Sequence, residues 1–370
     1  MESAIGPTEG RQGTIAAGDA VRSGTSRKTT MQAIVYQRYG SPDVLELKEV
    51  EMPVVGEDDV LLKVRAASVN PYDRHFMRGE PMIARPQLGG LRNPKANRLG
   101  VDVAGEVVAV GNKVREFRPG DEVFGVCTGA FAEYAIARES SLVLKPANVT
   151  FEQAGAVGIA AFTAIQSLRD WGQIEPGQKI LINGAAGGVG TFAVQLAKVW
   201  GAEVTGVCST RNVDMVRSIG ADHVVDYTKD DFTRGVQSYD LMLDIIGNQS
   251  LSKCRRVLAR QGTYVMIGGP KGRWIRPLDR ILRAFVLFPF VSQSMVSRTA
   301  RWRKEDLVLM QELMGEGKVV SVIDRRYPLS EVPEAVRYLE EGHARGKVVS
   351  RLEDDGRKHQ APLQRGLTCG

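Results

Sequence analysis

The sequence predicts an α/β protein in which a β-rich region precedes a doubly wound parallel sheet with helices on both faces. Short strand-like segments separated by turns fill residues 31–150, and strand-like and helix-like segments alternate after about residue 156. A glycine-rich turn at residues 184–190 lies between a strand pattern and a helix pattern. A chain of 370 residues has room for two such domains.

Composition is that of a soluble globular protein, with 43% hydrophobic and 25% charged residues. The four cysteines, Cys127, Cys208, Cys254 and Cys369, are far apart and form no CxxC pair, which argues against a disulfide framework and a structural zinc site. The sequence has no recognisable signal peptide and no long apolar span, so we expect a cytoplasmic protein.

Both ends of the chain have a polar composition. Residues 1–30 are rich in Gly, Ser, Thr and Ala, residues 353–370 are polar, and we expect both to be disordered tails. Order is expected to begin at Met31, where Ile34 and Tyr36 alternate with polar neighbours as in a strand. Our hypothesis is that Met31 is the functional start of the protein.

The β-rich region contains "DVLLKVRAASV", "VDVAGEVVAVG" and "GAFAEYAIA" as strand patterns, and "FRPGDEVFG" supplies a Pro-Gly turn. The pattern then changes to "FEQAGAVGIAAFTAIQSLRDWG", which predicts a helix that ends at Gly172. The following segments "KILING", "EVTGVC", "HVVDYT", "YDLMLDIIG" and "TYVMIGG" predict parallel strands with helices between them.

A basic and apolar insertion follows at residues 271–304, with nine basic residues and one acid. Its excess of eight positive charges is larger than the net charge of +6 of the whole chain. We favour a solvated basic face near an anionic cofactor over a contact with an acidic membrane or a nucleic acid, since no nucleic-acid motif accompanies it. Its apolar part, residues 273–295, is too short and too charged to span a bilayer, and would suit a lid, a subunit contact or a membrane-surface element.

The glycine turn carries the strongest functional signal. Gly184, Gly187, Gly188 and Gly190 directly follow the apolar run Ile180–Ile182, which suits a central parallel strand. Glycines at this position let backbone N–H groups approach a pyrophosphate at a helix N-terminus. One face of that helix is expected to carry Val189, Ala193, Leu196, Ala197 and Trp200. The turn therefore predicts dinucleotide binding.

The end of the next strand indicates which dinucleotide binds. An NAD site places an acid there to bind the ribose 2′-OH, whereas this chain has "CSTRN", with Ser209 and Arg211. A hydroxyl and a guanidinium suit a 2′-phosphate, so the sequence favours NADP(H). The alternative is that Arg211 is only a surface residue at a helix start.

These motifs together resemble the medium-chain dehydrogenase/reductase superfamily, in its zinc-independent, quinone-oxidoreductase-like branch. The resemblance covers residues 31–352 and rests on the order of "ASVNPYD", "LGVDVAGEVVAVG", "FRPGDEVFG", "GAFAEYA", "GIAAFTAIQSL", "NGAAGGVGTFAVQLAK", "GADHVVDY" and "ARGKVV". It implies a GroES-like catalytic domain at residues 31–155, completed by residues 320–352. It also implies a Rossmann domain at residues 156–319 that includes the insertion, an active site between the two domains, and a homodimer.

The resemblance also implies site residues. The pyrophosphate would lie against Ala186, Gly187, Gly188, Val189 and Gly190, and the 2′-phosphate against Ser209, Arg211 and Tyr227. Thr163, Gly268 and Gly269 would lie near the nicotinamide. Asn70 and Asp73 would form the active-site floor, and Lys347 would approach the cofactor from the C-terminal strand.

Departures from zinc alcohol dehydrogenases predict a site without metal. Those enzymes place a cysteine ligand where this chain has "VNPYD" and a Gly-His-Glu motif where it has "GVDVAG". The stretch Met77–Arg98 also contains no cysteine, so the structural zinc lobe is missing. Asp102 and Glu106 alone do not make a tetrahedral zinc site.

We therefore expect a zinc-independent, NADPH-dependent oxidoreductase that transfers hydride to quinones, α,β-unsaturated carbonyls or related carbonyl compounds. The proton would come from solvent, or from Tyr72 or His75; the alternatives are that Tyr72 packs in the core and that His75 only caps a turn. Two alternatives stay open. One is an NADPH-binding sensor or structural protein with little turnover, and the other is a membrane-surface quinone reductase that uses residues 273–295.

Overall fold

The computed structural model describes residues 29–80, 82, 85, 90, 93–94, 97–235, 237–268 and 292–352. The expectations for Gly269, for residues 271–291 of the insertion, for residues 353–370 and for most of residues 1–30 therefore lie outside the described residues. Within the described part, no helix is long and apolar enough to cross a membrane.

A seven-stranded sheet combines the β-rich region with the end of the chain. Its strands are β3 (Asp59–Val69), β4 (Asp102–Val110), β5 (Glu122–Val126), β6 (Tyr134–Arg138), β7 (Leu142–Leu144), β14 (Ile323–Pro328) and β15 (Lys347–Arg351). Their order is β14-β15-β3-β4-β5-β7, and β6 also pairs with β3. A separate antiparallel pair consists of β1 (Thr30–Val35) and β2 (Glu46–Glu51).

The second large sheet is parallel and has six strands. They are β8 (Lys179–Asn183), β9 (Glu203–Cys208), β10 (His223–Asp226), β11 (Tyr239–Asp244), β12 (Leu258–Met266) and β13 (Ser294–Ser297), in the order β10-β9-β8-β11-β12-β13. Ile180, Leu181 and Ile182 on the central strand β8 are completely buried, as a continuous apolar run predicts. The α/β class predicted from the alternating pattern is confirmed.

Eight α-helices connect the described strands. They are α1 (Pro71–Arg78), α2 (Phe151–Ala154), α3 (Gly158–Gln166), α4 (Gly188–Val199), α5 (Val213–Ser218), α6 (Leu251–Arg256), α7 (Lys304–Gly315) and α8 (Val332–Glu341). The helix predicted for residues 151–172 does end at Gly172, but it is not continuous, since it is divided into α2, α3 and a π-helical turn at Ser167–Trp171. The break admits a carboxylate, because Asp102 Oδ1 accepts a hydrogen bond from Ile159 N at 2.8 Å. A Cβ on Gly158 would lie only 1.9 Å from that oxygen.

Strand β1 and helix α4 bury more residues than the one apolar face that the sequence indicated for each. On β1, Ala33 and Val35 are buried as well as Ile34, because each face of the strand packs against a different apolar cluster. Helix α4 buries Phe192 and Val194 in addition to its predicted face. The middle of the helix, residues 190–197, is therefore buried on all sides.

Candidate active site between the two sheets

A buried ion pair lies where the two large sheets approach each other. Lys347, at the first position of β15, places its Nζ atom 2.5 Å from Asn70 Oδ1 and 3.3 Å from Asp102 Oδ2. The relative exposures of Lys347, Asn70 and Asp102 are 3%, 2% and 0%. Because a buried charge is costly unless it is paired and hydrogen-bonded, these three residues form one unit.

Further hydrogen bonds hold the Asp102 carboxylate. Ser68 Oγ donates to Oδ2 at 2.7 Å, Asn70 Nδ2 donates to the same oxygen at 2.9 Å, and Ile159 N donates to Oδ1. The Asn70 amide also donates to the Ser68 carbonyl at 3.1 Å, which leaves its own oxygen to accept from Lys347. From the sequence, Asp102 was expected only to be insufficient, with Glu106, for a zinc site. A charged residue inside the apolar stretch "GVDVAG" was the signal for a buried partner.

Asp73 lies beside this cluster, in the first turn of α1. Its two carboxylate oxygens accept hydrogen bonds from Asn70 N at 2.8 Å and from Gly100 N at 2.9 Å. Burial of Asp73 raises its pKa to about 7. This effect outweighs the two hydrogen bonds, which lower the pKa. Asp73 therefore joins the start of α1 to the loop before β4 and holds the backbone N–H of Asn70.

Tyr72 and His75 lie on other faces of α1. The Tyr72 ring packs on Phe76 with centroids 4.3 Å apart, and the side chain is 38% exposed. His75 is exposed, and its Nδ1 lies 3.0 Å from the Glu80 carbonyl oxygen. Neither side chain has a hydrogen bond to the Lys347 cluster in the described structure, so their catalytic role stays a prediction.

The glycine turn has the shape that the approach of a phosphate requires. A Cβ on Gly190 would lie 2.1 Å from the Gly184 carbonyl oxygen, so a side chain there would break the turn. At Gly187, which caps α4, a Cβ would meet only that same oxygen at 3.5 Å. The space above the N-terminus of α4 is a cradle that a side chain would fill, and it fits a dinucleotide pyrophosphate.

The C-terminal strand contacts this turn directly. Gly346 N donates to the Ala186 carbonyl at 2.8 Å, and Gly346 has a φ of +91°, which favours glycine. The next residue, Lys347, extends past Gly188, where an added Cβ would lie 3.0 Å from Lys347 Cδ. The buried ammonium and the phosphate cradle are thus joined by one side chain.

The proposed 2′-phosphate residues lie after strands β9 and β10. Arg211 Nη2 donates to the His343 carbonyl at 2.5 Å, so the guanidinium reaches the loop before β15. Ser209 Oγ accepts from Asn212 Nδ2 at 3.1 Å, and Tyr227 is 55% exposed. The structure brings all three to the same edge of the parallel sheet.

Asp226, which the sequence analysis did not consider, lies at this edge as the last residue of β10. Thr210 Oγ1 donates to Asp226 Oδ2 at 2.6 Å and Thr228 Oγ1 to Oδ1 at 2.7 Å. Chiefly the Thr210 hydrogen bond, and then those from Thr228, hold the pKa of Asp226 down at about 2. Its charge is therefore shared with neighbouring donors.

The remaining predicted residues lie on α3, after β12 and in the first turn of α4. The Thr163 hydroxyl donates to the Ile159 carbonyl at 2.7 Å, within its own helix α3. Gly268 follows β12, and a Cβ there would lie 1.9 Å from the Ile245 carbonyl oxygen. Val189 is half-buried in the first turn of α4. No group of three or more His, Cys, Asp or Glu residues suited to a metal ion occurs in the described ranges.

Comparisons with known families match both halves of the chain. The family described as alcohol dehydrogenase GroES-like domain matches residues 56–147, and the family described as zinc-binding dehydrogenase matches residues 219–349. The first match lies over β3 to β7, which hold Asn70 and Asp102. The second reaches Lys347.

Named relatives align with most of the chain. The chain is 35% identical to the NADPH-dependent alkenal/one oxidoreductase, chloroplastic, of Arabidopsis thaliana, over 86% of this chain and 79% of that protein. It is 34% identical to the chloroplast envelope quinone oxidoreductase homolog of the same plant, over 86% and 98%. Since both names indicate chloroplasts, the cytoplasmic location stays a prediction.

A solved structure has the same architecture. The quinone oxidoreductase from Coxiella burnetii superposes with a TM-score of 0.77 and 29% sequence identity, covering 88% of this chain and 100% of that one. The fold is therefore shared over most of this chain.

Asp73→Asn should change how stability depends on pH. The folded-state pKa of Asp73 is raised, so the acid form is favoured in the folded protein, and its contribution to stability is full below the ordinary pKa of 3.8 and lost as pH rises towards about 7. The difference in unfolding free energy, wild type minus variant, should fall across this window by at most about 1.4 kcal/mol per pH unit. Urea titrations at pH 4 to 8 measure it, and a difference that stays constant or rises would contradict the raised pKa.

Proposed function

Because the chain belongs to the medium-chain dehydrogenase/reductase superfamily, in its quinone-oxidoreductase-like branch, we propose that it is a zinc-independent NADPH-dependent reductase. Its acceptors are quinones, α,β-unsaturated carbonyls or related carbonyl compounds. The observation that carries this proposal is the junction at Gly188, where the phosphate cradle adjoins the side chain of the buried Lys347. A cofactor in the cradle would reach towards the cleft floor formed by Asn70.

The residues present fit NADPH. Gly187 leaves room for the pyrophosphate at the N-terminus of α4, whose dipole favours negative charge, and Gly190 permits the tight turn that precedes it. Arg211 and Ser209 supply a guanidinium and a hydroxyl for the 2′-phosphate. When bound, NADPH supplies the hydride. The chain's own residues hold the cofactor and the acceptor together and restrict access of water.

The absence of zinc is part of the proposal. The positions that correspond to zinc-ligand stretches carry Asn70 and Asp102, and a lysine ammonium already lies against both side chains. A divalent cation there would meet a buried positive charge, which disfavours binding. Acceptors that take hydride without a Lewis acid are therefore the most suitable ones.

We also propose that the protein is a homodimer. Strand β13 is at the edge of the six-stranded sheet and, among the described strands, pairs on one side only, with β12. Such an edge is suited to pairing with a second copy. Sedimentation equilibrium tests this, and a monomer at micromolar concentration would contradict it.

Steady-state oxidation of NADPH tests the function itself. With a panel of quinones and α,β-unsaturated ketones, we expect turnover with NADPH, weaker turnover with NADH, and no loss after treatment with EDTA. Tight NADPH binding without turnover on any acceptor would instead indicate a sensor or structural protein. Loss of activity with EDTA and its recovery with zinc would contradict the zinc-independent proposal.

Arg211→Ala should weaken NADPH binding selectively. The variant loses a charge-assisted hydrogen bond to the 2′-phosphate, so we expect the Kd for NADPH to rise about tenfold or more while that for NADH stays within about twofold. Nucleotide fluorescence titration measures both constants. Arg217→Ala removes a similar charge from α5, where the side chain is 62% exposed, and should leave both unchanged. If the ratio of the NADPH Kd to the NADH Kd were the same in Arg211→Ala as in the wild type, Arg211 would be excluded from the 2′-phosphate site.

Tyr72→Phe and His75→Ala should each retain more than a tenth of the wild-type kcat. Tyr72 and His75 are both exposed, and neither has a hydrogen bond to the Lys347 cluster in the described structure, so water has access to deliver the proton. Rates across pH 6 to 9 provide the measurement. A loss of about 100-fold or more in one variant, with its pH profile flattened, would instead identify that side chain as the acid.

A further inference from the structure

The buried ammonium of Lys347 lies between the two stretches that supply ligands in zinc alcohol dehydrogenases. Asn70 belongs to "VNPYD" and Asp102 to "GVDVAG", and both side chains accept from Lys347 Nζ, at 2.5 Å and 3.3 Å. The chain thus carries a positive charge of its own at a place where those enzymes use a metal to polarise a carbonyl. A fixed cation in a site sheltered from water interacts strongly with a developing anion.

One N–H of this ammonium is available for a ligand. A lysine ammonium has three donors, and Lys347 uses two of them, on Asn70 and Asp102. No further acceptor for Lys347 is present among the described residues. Its Cδ lies 3.0 Å from where a Cβ of Gly188 would stand, so the lysine side chain runs from the glycine turn to Asn70.

The charge of Lys347 is only partly neutralised by Asp102. That carboxylate also accepts from Ser68, Asn70 and Ile159, at 2.7, 2.9 and 2.8 Å, and Lys347 is the most distant of its four donors, at 3.3 Å. The negative charge of Asp102 is therefore shared, while the neutral Asn70 oxygen holds the ammonium in place. This arrangement maintains a positive potential at Nζ.

We propose that Lys347 is the electrophile of the reaction, a catalytic residue that binds the acceptor's carbonyl oxygen through its third N–H. This rests on the proposed function. The acceptor gains a hydride at its β-carbon from the reduced cofactor, and the C=C electron pair shifts so that negative charge develops on the oxygen held by Lys347. Water then delivers one proton to the α-carbon, which yields the saturated carbonyl compound. Lys347 keeps its proton throughout.

Lys347→Met tests this with two acceptors that differ in how strongly their reduction depends on stabilisation of the developing oxyanion. At saturating NADPH, single-turnover hydride transfer to an α,β-unsaturated ketone should slow about 100-fold or more, the usual effect of removing one donor to a developing oxyanion. Transfer to 1,4-benzoquinone should slow at least tenfold less, because its aromatic product stabilises negative charge by itself. The Kd for NADPH, from fluorescence titration, should rise less than tenfold.

Two further variants keep the test interpretable. Lys347→Met alone leaves Asp102 buried without its cation and is expected to lower stability, so the double variant Lys347→Met/Asp102→Asn removes both charges and should show the same selective loss with a near-wild-type Tm. The matched control is Lys145→Met. Lys145 has a side chain that is 6% exposed and pairs with Glu122 at 2.9 Å away from the site, and its loss should leave the hydride-transfer rates unchanged.

Three results would overturn the proposal. They are a Lys347→Met rate within threefold of wild type at saturating NADPH, an equal loss with both acceptors, and a loss that resides wholly in the NADPH Kd. If the wild type reduced neither acceptor, the proposed function itself would fail and the inference with it. A wild type that reduces both, with a Lys347→Met variant that does so equally well, would refute the inference alone.

Discussion

The buried ion pair between Lys347 and Asp102 is the constraint on which the rest of the site depends. Removing one partner of such a pair commonly costs about 3–5 kcal/mol, because the other charge is left buried without compensation. Asp102 begins β4, Lys347 begins β15, and Ile159, whose N–H also binds Asp102, lies in the first turn of α3. One carboxylate therefore determines how three elements meet.

The same pair explains why the end of the chain returns to the first sheet. Strand β15 pairs with β3 through Val348 and Val69, while Gly346 binds the glycine turn through Ala186. The C-terminal strand thus contacts both sheets at the point where a cofactor would lie between them. The distance between the glycine turn and the Asn70–Asp102 pair is spanned by the side chain of Lys347.

The proposed cofactor half of the site could be inferred from the sequence because its signals are local. Gly184 to Gly190 lie within one strand-to-helix connection, and Ser209 and Arg211 follow the next strand. The floor was harder to predict. Asn70 and Asp102 are 32 residues apart, Lys347 is 245 residues beyond Asp102, and no sequence period joins them. Asp226 was missed for the same reason, since it meets Thr210 only when β9 and β10 pair.

The sequence by itself determined the α/β class, the family resemblance, the glycine turn and the preference for a 2′-phosphate, since each depends on neighbouring residues and on the backbone conformation that they favour. Tertiary structure alone decided that the helix predicted up to Gly172 is broken at Gly158, where a carboxylate from β4 binds its backbone. It also decided that Lys347 places a cation between Asn70 and Asp102. Electrostatic pairing in a buried site depends on distances across sheets, and those distances exist only in the folded chain.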